Sequence, residues 1–316
     1  MKKRIGIIGL GDIAQKVYLP LLSSNDNVHI VGISSRTPAT VERIADQYRI
    51  EGRYESVEAL LAEEPEAVFV HSPTETHYDV VMACLKKKVA VYVDKPLSYV
   101  YQESEAMAQY ALDQGVVLAV GFNRRFAPLY VQAKDWLEEN EGFDLCSVSK
   151  HRTKLQKHSA KFTLYDDMIH MLDLLLWLGG ERYEDLQYIE QMDEEGKLLF
   201  GTGSLTFTRS GIGKTAVRAG QFSMVRRAGV DLEKLELHGS FRSVEVTNME
   251  TAVLYEQHSL PKSSAFGSWD TIVSRRGFAG AVNHFLQRLH DPATCSIRAD
   301  QVLPVHQMIE RMTSRL

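Results

Sequence analysis

Residues 4–15 read Arg-Ile-Gly-Ile-Ile-Gly-Leu-Gly-Asp-Ile-Ala-Gln. Gly6, Ile7 and Ile8 form a short apolar run suited to a buried strand; Gly9-Leu10-Gly11 follows as a turn, and Asp12-Ile13 opens a helix-compatible stretch. Ala14 stands where the third small residue of a G-x-G-x-x-G/A pattern belongs. Such a turn needs these residues: Gly9 for the tight bend, Gly11 so that the backbone can approach a pyrophosphate, and a small residue at 14 so that helix packs on strand. A helix starting there turns free N–H groups and the positive end of its dipole toward the phosphates. The reading is a dinucleotide cradle, with a merely structural turn as the plain alternative.

The same alternation continues outward. Apolar runs at 28–33, 67–71, 89–93 and 116–120 predict strands, and the stretches 13–23, 41–48, 56–62, 78–86 and 101–113 predict the helices between them. Short buried strands alternating with helices describe a doubly wound parallel sheet in an α/β protein. Beyond Gly121 the texture changes. Helical patterns at 128–140 and 166–178, then alternating runs at 145–152, 186–192, 197–208, 214–222, 232–238, 243–248 and 252–258, predict an α+β domain with an open-faced, mainly antiparallel sheet. Ser210-Gly211-Ile212-Gly213 and His238-Gly239-Ser240 read as its hairpin turns, and helices near 277–289 and 301–314 close the chain. The division is 1–120 for the dinucleotide domain and 121–316 for a substrate and oligomerisation domain, with the last helix able to pack back on the first.

Composition narrows the function. The 316 residues carry a net charge of −5 and 44% hydrophobic content, those of an ordinary globular protein without a nucleic-acid surface. Cys84, Cys146 and Cys295 form no C-x-x-C pair and suggest neither a disulfide framework nor zinc; a cytoplasmic protein is expected. The most apolar later run, Leu172–Leu178, contains Asp173 and is too short for a bilayer, so no membrane association is expected.

Strand ends then supply chemistry. An acid about twenty residues after the glycines would hold a ribose 2′-OH. Here the second strand ends in Ser34-Ser35-Arg36-Thr37. Ser35 and Arg36 suit a 2′-phosphate, so NADP(H) is favoured over NAD(H), although Arg36 stacked on adenine serves either. His71-Ser72-Pro73-Thr74 ends another strand and His77 opens the next helix; Ser72, Pro73, Thr74 and His77 are candidate cofactor contacts. Asp94-Lys95-Pro96 ends a third strand and places a lysine where a substrate oxygen gains negative charge. In Asp166-Asp167-Met168-Ile169-His170-Met171-Leu172-Asp173, an α-helix would set Asp166, His170 and Asp173 on one face. Histidine's intrinsic pKa suits His170 to proton exchange with a carbinol, the plain alternative being a core histidine satisfied by carboxylates. Asn123, Arg124 and Arg125, with Asp167 and Asp173, are candidate substrate contacts; no metal site is expected.

Taken together, the Gly9–Ala14 turn, Asp94-Lys95-Pro96, Gly121-Phe122-Asn123-Arg124-Arg125-Phe126 and the Asp166…His170..Asp173 segment resemble the Gfo/Idh/MocA family of dinucleotide-dependent oxidoreductases, and within it the MviM-like branch. The resemblance implies a Rossmann domain, a hydride transfer on a sugar- or polyol-like secondary alcohol, and a homodimer or homotetramer built through the C-terminal sheet. It implies that Lys95 contacts the reacting oxygen, His170 serves as acid/base, and Asp166 hydrogen-bonds His170 or substrate. The chain departs from the family at Asp94, where Glu is more frequent, at Ala14, and at Asp167-Met168, which leaves open whether Asp166 or Asp167 faces the substrate. The rival readings are a non-catalytic NADP(H)-binding protein on the same fold and a reductase of a non-sugar carbonyl or double bond.

Overall fold

The computed structural model describes residues 2–180, 182–209 and 216–314. The chain forms two compact units, one of residues 1–122 with 281–303, the other of 123–280 with 304–316.

In the first unit, β1 (Lys3–Ile8), β2 (Val28–Ser34), β3 (Arg53–Tyr54), β4 (Ala67–Val70), β5 (Ala90–Val93) and β6 (Leu118–Val120) make a parallel sheet in the order β3-β2-β1-β4-β5-β6. Every residue of β4, β5 and β6 is buried, as a sheet covered on both faces requires. The crossovers supply α1 (Leu19–Ser23), α2 (Pro38–Tyr48), α3 (Val57–Leu61), α4 (His77–Lys86) and α5 (Tyr101–Gln114). The turn from the glycines into α1 is a π-helical one, Ala14–Tyr18. Residues 281–303 join this unit because Phe285 packs edge-on against Phe69 at 5.4 Å and beside Tyr92 at 5.6 Å. Sheet order reverses direction between β1 and β4, the switch point at which open α/β sheets bind ligands beyond the strands' carboxyl ends.

In the second unit, β7 (Leu145–His151), β8 (Glu184–Met192), β9 (Leu198–Arg209), β10 (Ala216–Val225), β11 (Leu232–Gly239), β12 (Arg242–Thr247), β13 (Thr251–Glu256) and β14 (Lys262–Ala265) form a sheet ordered β14-β13-β12-β11-β7-β10-β9-β8. Only the β7–β10 pair is parallel. The helices α6 (Pro128–Glu138), α7 (Ala160–Thr163) and α8 (Ile169–Gly179) belong here; α6 packs on β11–β13 and α8 on β7 and β10. Alternation fixes the register: Cys146, Val148 and Lys150 point inward from β7, and Glu233, Leu235 and Leu237 from β11. The β11–β12 hairpin turns at Ser240-Phe241, both at positive φ, as expected for a two-residue loop. The turn read at 210–213 lies outside the described residues.

Candidate active site

At the carboxyl ends of the first unit's strands the backbone ladder runs one step past each strand. Gly9 N–H donates to Ser34 O (2.8 Å), His71 N–H to Ile8 O (2.7 Å), Asp94 N–H to Val70 O (3.1 Å) and Gly121 N–H to Val93 O (2.8 Å). These bonds line up the glycine turn, the His71 loop and the Asp94-Lys95 loop side by side. Gly9 has φ +88°, and a Cβ there would stand 2.3 Å from Ser72 N, so only glycine fits. A Cβ on Gly11 would meet nothing within 4 Å. Gly9 is thus fixed by the protein itself, whereas Gly11 borders open space of the kind a pyrophosphate needs. The residues present fit a dinucleotide.

Around this cradle, Asp12 is exposed and paired with Lys16 (2.5 Å), and Ile13 is an exposed apolar side chain, 38% accessible. Gln15 donates to Leu10 O (2.7 Å) and accepts from Arg43 (3.0 Å), a link from the glycine turn to α2 that the sequence reading did not single out. At the end of β2, Ser35 is half-buried and Arg36 exposed, with no carboxylate bound to its guanidinium among the described residues.

Two histidines brace the neighbouring loops. His71 Nδ1–H donates to Asp94 Oδ2 (2.8 Å) while its ring stacks on Tyr18 at 3.9 Å; its buried Nε2 has no hydrogen-bond partner among the described residues. Burial pushes the Asp94 carboxyl upward, but the His71 charge and hydrogen bond, with His77 and Tyr18, outweigh this and hold it below its ordinary range. His77 is buried, its Nδ1 3.0 Å from Pro96 O and its Nε2 3.0 Å from Ser72 O, so it ties the 72–74 loop to the 94–97 loop. Burial pushes its pKa down. Thr76 Oγ1 reaches Ser72 Oγ (2.8 Å), while Pro73 is exposed and Thr74 half-buried. Lys95 is half-buried and precedes a cis peptide to Pro96.

In the second unit the helix carrying His170 is not α-helical throughout. Leu164–Met168 form a π-helical turn, closed by Ile169 N–H on Leu164 O, and α8 begins at Ile169. The continuous α-helix expected over this segment is therefore corrected to a π-helical turn carrying Asp166 that leads into α8, which carries His170 and Asp173. Asp167 is anchored from the sheet by Lys150 and Arg226, which hold its carboxyl down at about 2 against the upward push of burial. Asp166 is half-buried and His170 buried. Arg124 forks onto Glu233 (Nε–Oε1 2.5 Å, Nη2–Oε2 2.8 Å), and Arg125 onto fully buried Asp173 (Nη2–Oδ1 2.6 Å). Asn123 is buried and donates to Arg276 O (2.7 Å). Arg124, Arg125, Asp167 and Asp173 are thus engaged with partners of their own unit. Lys150, Arg226 and Glu233 were missed in the sequence, although charged residues at inward positions of alternating strands were the available signal.

A hollow of about 720 Å³ in the first unit does not mark the site: Glu66, Val89 and Val116 on its wall precede β4, β5 and β6, at the opposite ends of the strands. Among the described residues no cluster of His, Cys, Asp or Glu is arranged to hold a metal, and no helix is long and apolar enough to cross a membrane.

A parallel sheet with a glycine turn at its switch point and a lysine on a neighbouring loop, joined in sequence to a largely antiparallel sheet domain, defines a dinucleotide-dependent oxidoreductase. The chain belongs to the Gfo/Idh/MocA oxidoreductase family. Residues 3–122 match the family described as "Oxidoreductase family, NAD-binding Rossmann fold", and residues 128–257 match "YceM-like, C-terminal domain". The chain is 33% identical over 311 residues to YceM of Salmonella typhimurium (strain LT2), covering 98% of this chain and 96% of that one. It is 31% identical over 188 residues to the inositol 2-dehydrogenase of Rhizobium meliloti, 57% of this chain and 56% of that one. Its fold matches the crystal structure of the MviM dehydrogenase from Clostridium difficile with a TM-score of 0.91, 29% identity and full coverage of both chains.

Proposed function

We propose that the protein is an NADP(H)-preferring oxidoreductase acting on a secondary alcohol or ketone of a sugar- or polyol-like molecule. The observation that carries this reading is the row of loops at the switch point: Gly9–Gly11 beside His71-Ser72 beside Asp94-Lys95. The bound cofactor supplies or accepts the hydride at its nicotinamide. Gly9, Gly11, Asp12 and Ile13 would hold the pyrophosphate, Ser35 and Arg36 the 2′-phosphate, and Ser72, Pro73, Thr74 and Asp94 the remaining cofactor edge. Lys95 donates a hydrogen bond to the reacting oxygen and favours its negative charge as hydride leaves the carbinol carbon. His170 takes the hydroxyl proton in oxidation and returns it in reduction, and Asp166 orients it. The inositol dehydrogenase among the relatives supports the substrate class.

A cofactor-fluorescence screen against a sugar and polyol library tests this reading. NADPH production or consumption with at least one member is expected; cofactor binding with no turnover of any member contradicts it and describes a non-catalytic binding protein. We further propose a cytoplasmic homodimer or homotetramer built on the second unit's sheet. The three buried free cysteines support the compartment, and Ile189 and Val217, 67% and 63% exposed on β8 and β10, support the interface. Sedimentation showing a concentration-independent monomer contradicts the assembly.

A further inference from the structure

Lys95 carries the proposed chemistry, and the residues on both sides of it are held by histidines from the stretch 71–77. After it, the buried His77 has Nδ1 3.0 Å from Pro96 O and 3.3 Å from Leu97 O. Before it, Asp94 Oδ2 accepts from His71 Nδ1–H at 2.8 Å. The two grips differ in kind. His77 meets backbone carbonyls, which any residue supplies, whereas His71 meets the side chain of the one residue that precedes the lysine.

The Asp94 carboxylate takes a second hydrogen bond from the Tyr18 phenol, whose oxygen lies 3.3 Å from that of Tyr92. Burial pushes both phenols up, so both keep their protons and can donate. The His71 side chain is fully buried and its ring stacks on Tyr18 at 3.9 Å, so packing fixes it as well. For stability alone histidine is a poor choice here. Its buried Nε2 has no hydrogen-bond partner among the described residues, a cost that an apolar ring in the same place avoids. What an apolar ring lacks is a donor at the Nδ1 position, and that donor meets the carboxylate adjoining Lys95. A charge-assisted hydrogen bond is roughly twice as strong as a neutral one and fixes its acceptor's direction. Such a hold matters to a reacting group, because a misplacement of about 1 Å costs up to about a hundredfold in rate.

We infer that His71 is a positioning residue for Lys95, which it holds in place through the Asp94 carboxylate. The inference rests on the dehydrogenase reading for the task of Lys95; the hold itself is measured without turnover. Hydrogen exchange of the full chain, followed by mass spectrometry, reads that hold. In His71→Ala, exchange at the Asp94, Lys95 and Leu97 amides rises about tenfold or more relative to the helices of the same unit. His71→Asn keeps an N–H where Nδ1 stood, and its exchange there returns to within about threefold of the unaltered protein. Kinetics read the consequence. With a substrate that the unaltered protein turns over, His71→Ala loses about tenfold or more in kcat while its cofactor Kd changes by no more than about threefold. His71→Asn regains most of that kcat. Exchange that rises evenly across the unit, an undiminished kcat in His71→Ala, or a His71→Asn protein as impaired as His71→Ala overturns the inference. If the unaltered protein turns over no substrate, the dehydrogenase reading fails, and the exchange arm still decides for or against the hold.

Discussion

His71 Nδ1 lies 2.8 Å from Asp94 Oδ2, in the residue immediately before Lys95. The pair joins the end of β4 to the end of β5, with the His71 ring stacked on Tyr18 and the Asp94 side chain only 19% accessible, so water replaces a lost donor only in part. His71→Ala is expected to lower stability by about 1–3 kcal/mol, read from urea unfolding at neutral pH. Unfolding curves that superimpose would show that the pair holds nothing in place.

The two glycines of the opening turn separate folding from binding. Gly9→Ala forces a Cβ into the Ser72 backbone at a positive φ and is expected to cost more than about 2 kcal/mol of stability. Gly11→Ala meets open space, so its stability should stay within about 0.5 kcal/mol. Its NADP(H) affinity should nevertheless fall by about tenfold or more, because the methyl occupies the room a pyrophosphate needs. Equal losses of affinity and stability in Gly11→Ala would contradict the cradle.

Arg36 stands exposed at the end of β2, and no carboxylate among the described residues is bound to its guanidinium. Removing a charge-assisted hydrogen bond costs about 1.5–3 kcal/mol, so Arg36→Ala should weaken NADPH binding roughly 10- to 100-fold. NADH binding should change by less than about twofold, since no phosphate is lost. Parallel losses for both cofactors would point instead to stacking on adenine.

Acid should loosen the second unit within a defined window. Asp167 and Glu233 start from ordinary values of 3.8 and 4.5 and are both held down at about 2, burial opposing the stronger pull of Lys150 with Arg226 and of Arg124. A lowered folded pKa means stability that is fully present above about 5 and is lost as pH falls toward 2, on the order of 2 kcal/mol for each group. Urea unfolding from pH 5 to 2 should show this slope, reduced in Asp167→Asn, which is also less stable at neutral pH. An identical slope in the variant would remove Asp167 from the account.

The parts of the site legible in the sequence were those whose backbone demands a residue type. Gly9 must be glycine because of its φ and its approach to Ser72, and strand ends carrying Arg36, His71 and Lys95 follow from apolar runs that stop there. What was not legible came from tertiary partners. Asp166 and His170 were placed by α-helical period, and nothing in the sequence marked the π-helical turn at Leu164–Met168. Arg124 and Arg125 looked available for substrate because Glu233, far along the chain, and Asp173, across a helix, gave no local sign of claiming them. The strands Arg53–Tyr54 and Lys262–Ala265 escaped notice, one too short for a pattern and the other short and largely polar.

The central claim is that Lys95 and His170 perform the chemistry while the glycine turn holds the cofactor. The most direct measurement is kcat of Lys95→Ala and His170→Ala at saturating substrate and NADP(H), beside the cofactor Kd of each variant. Both variants should lose about a hundredfold or more in kcat, with cofactor Kd changed by no more than about threefold. A Lys95→Ala enzyme with undiminished kcat would contradict the account.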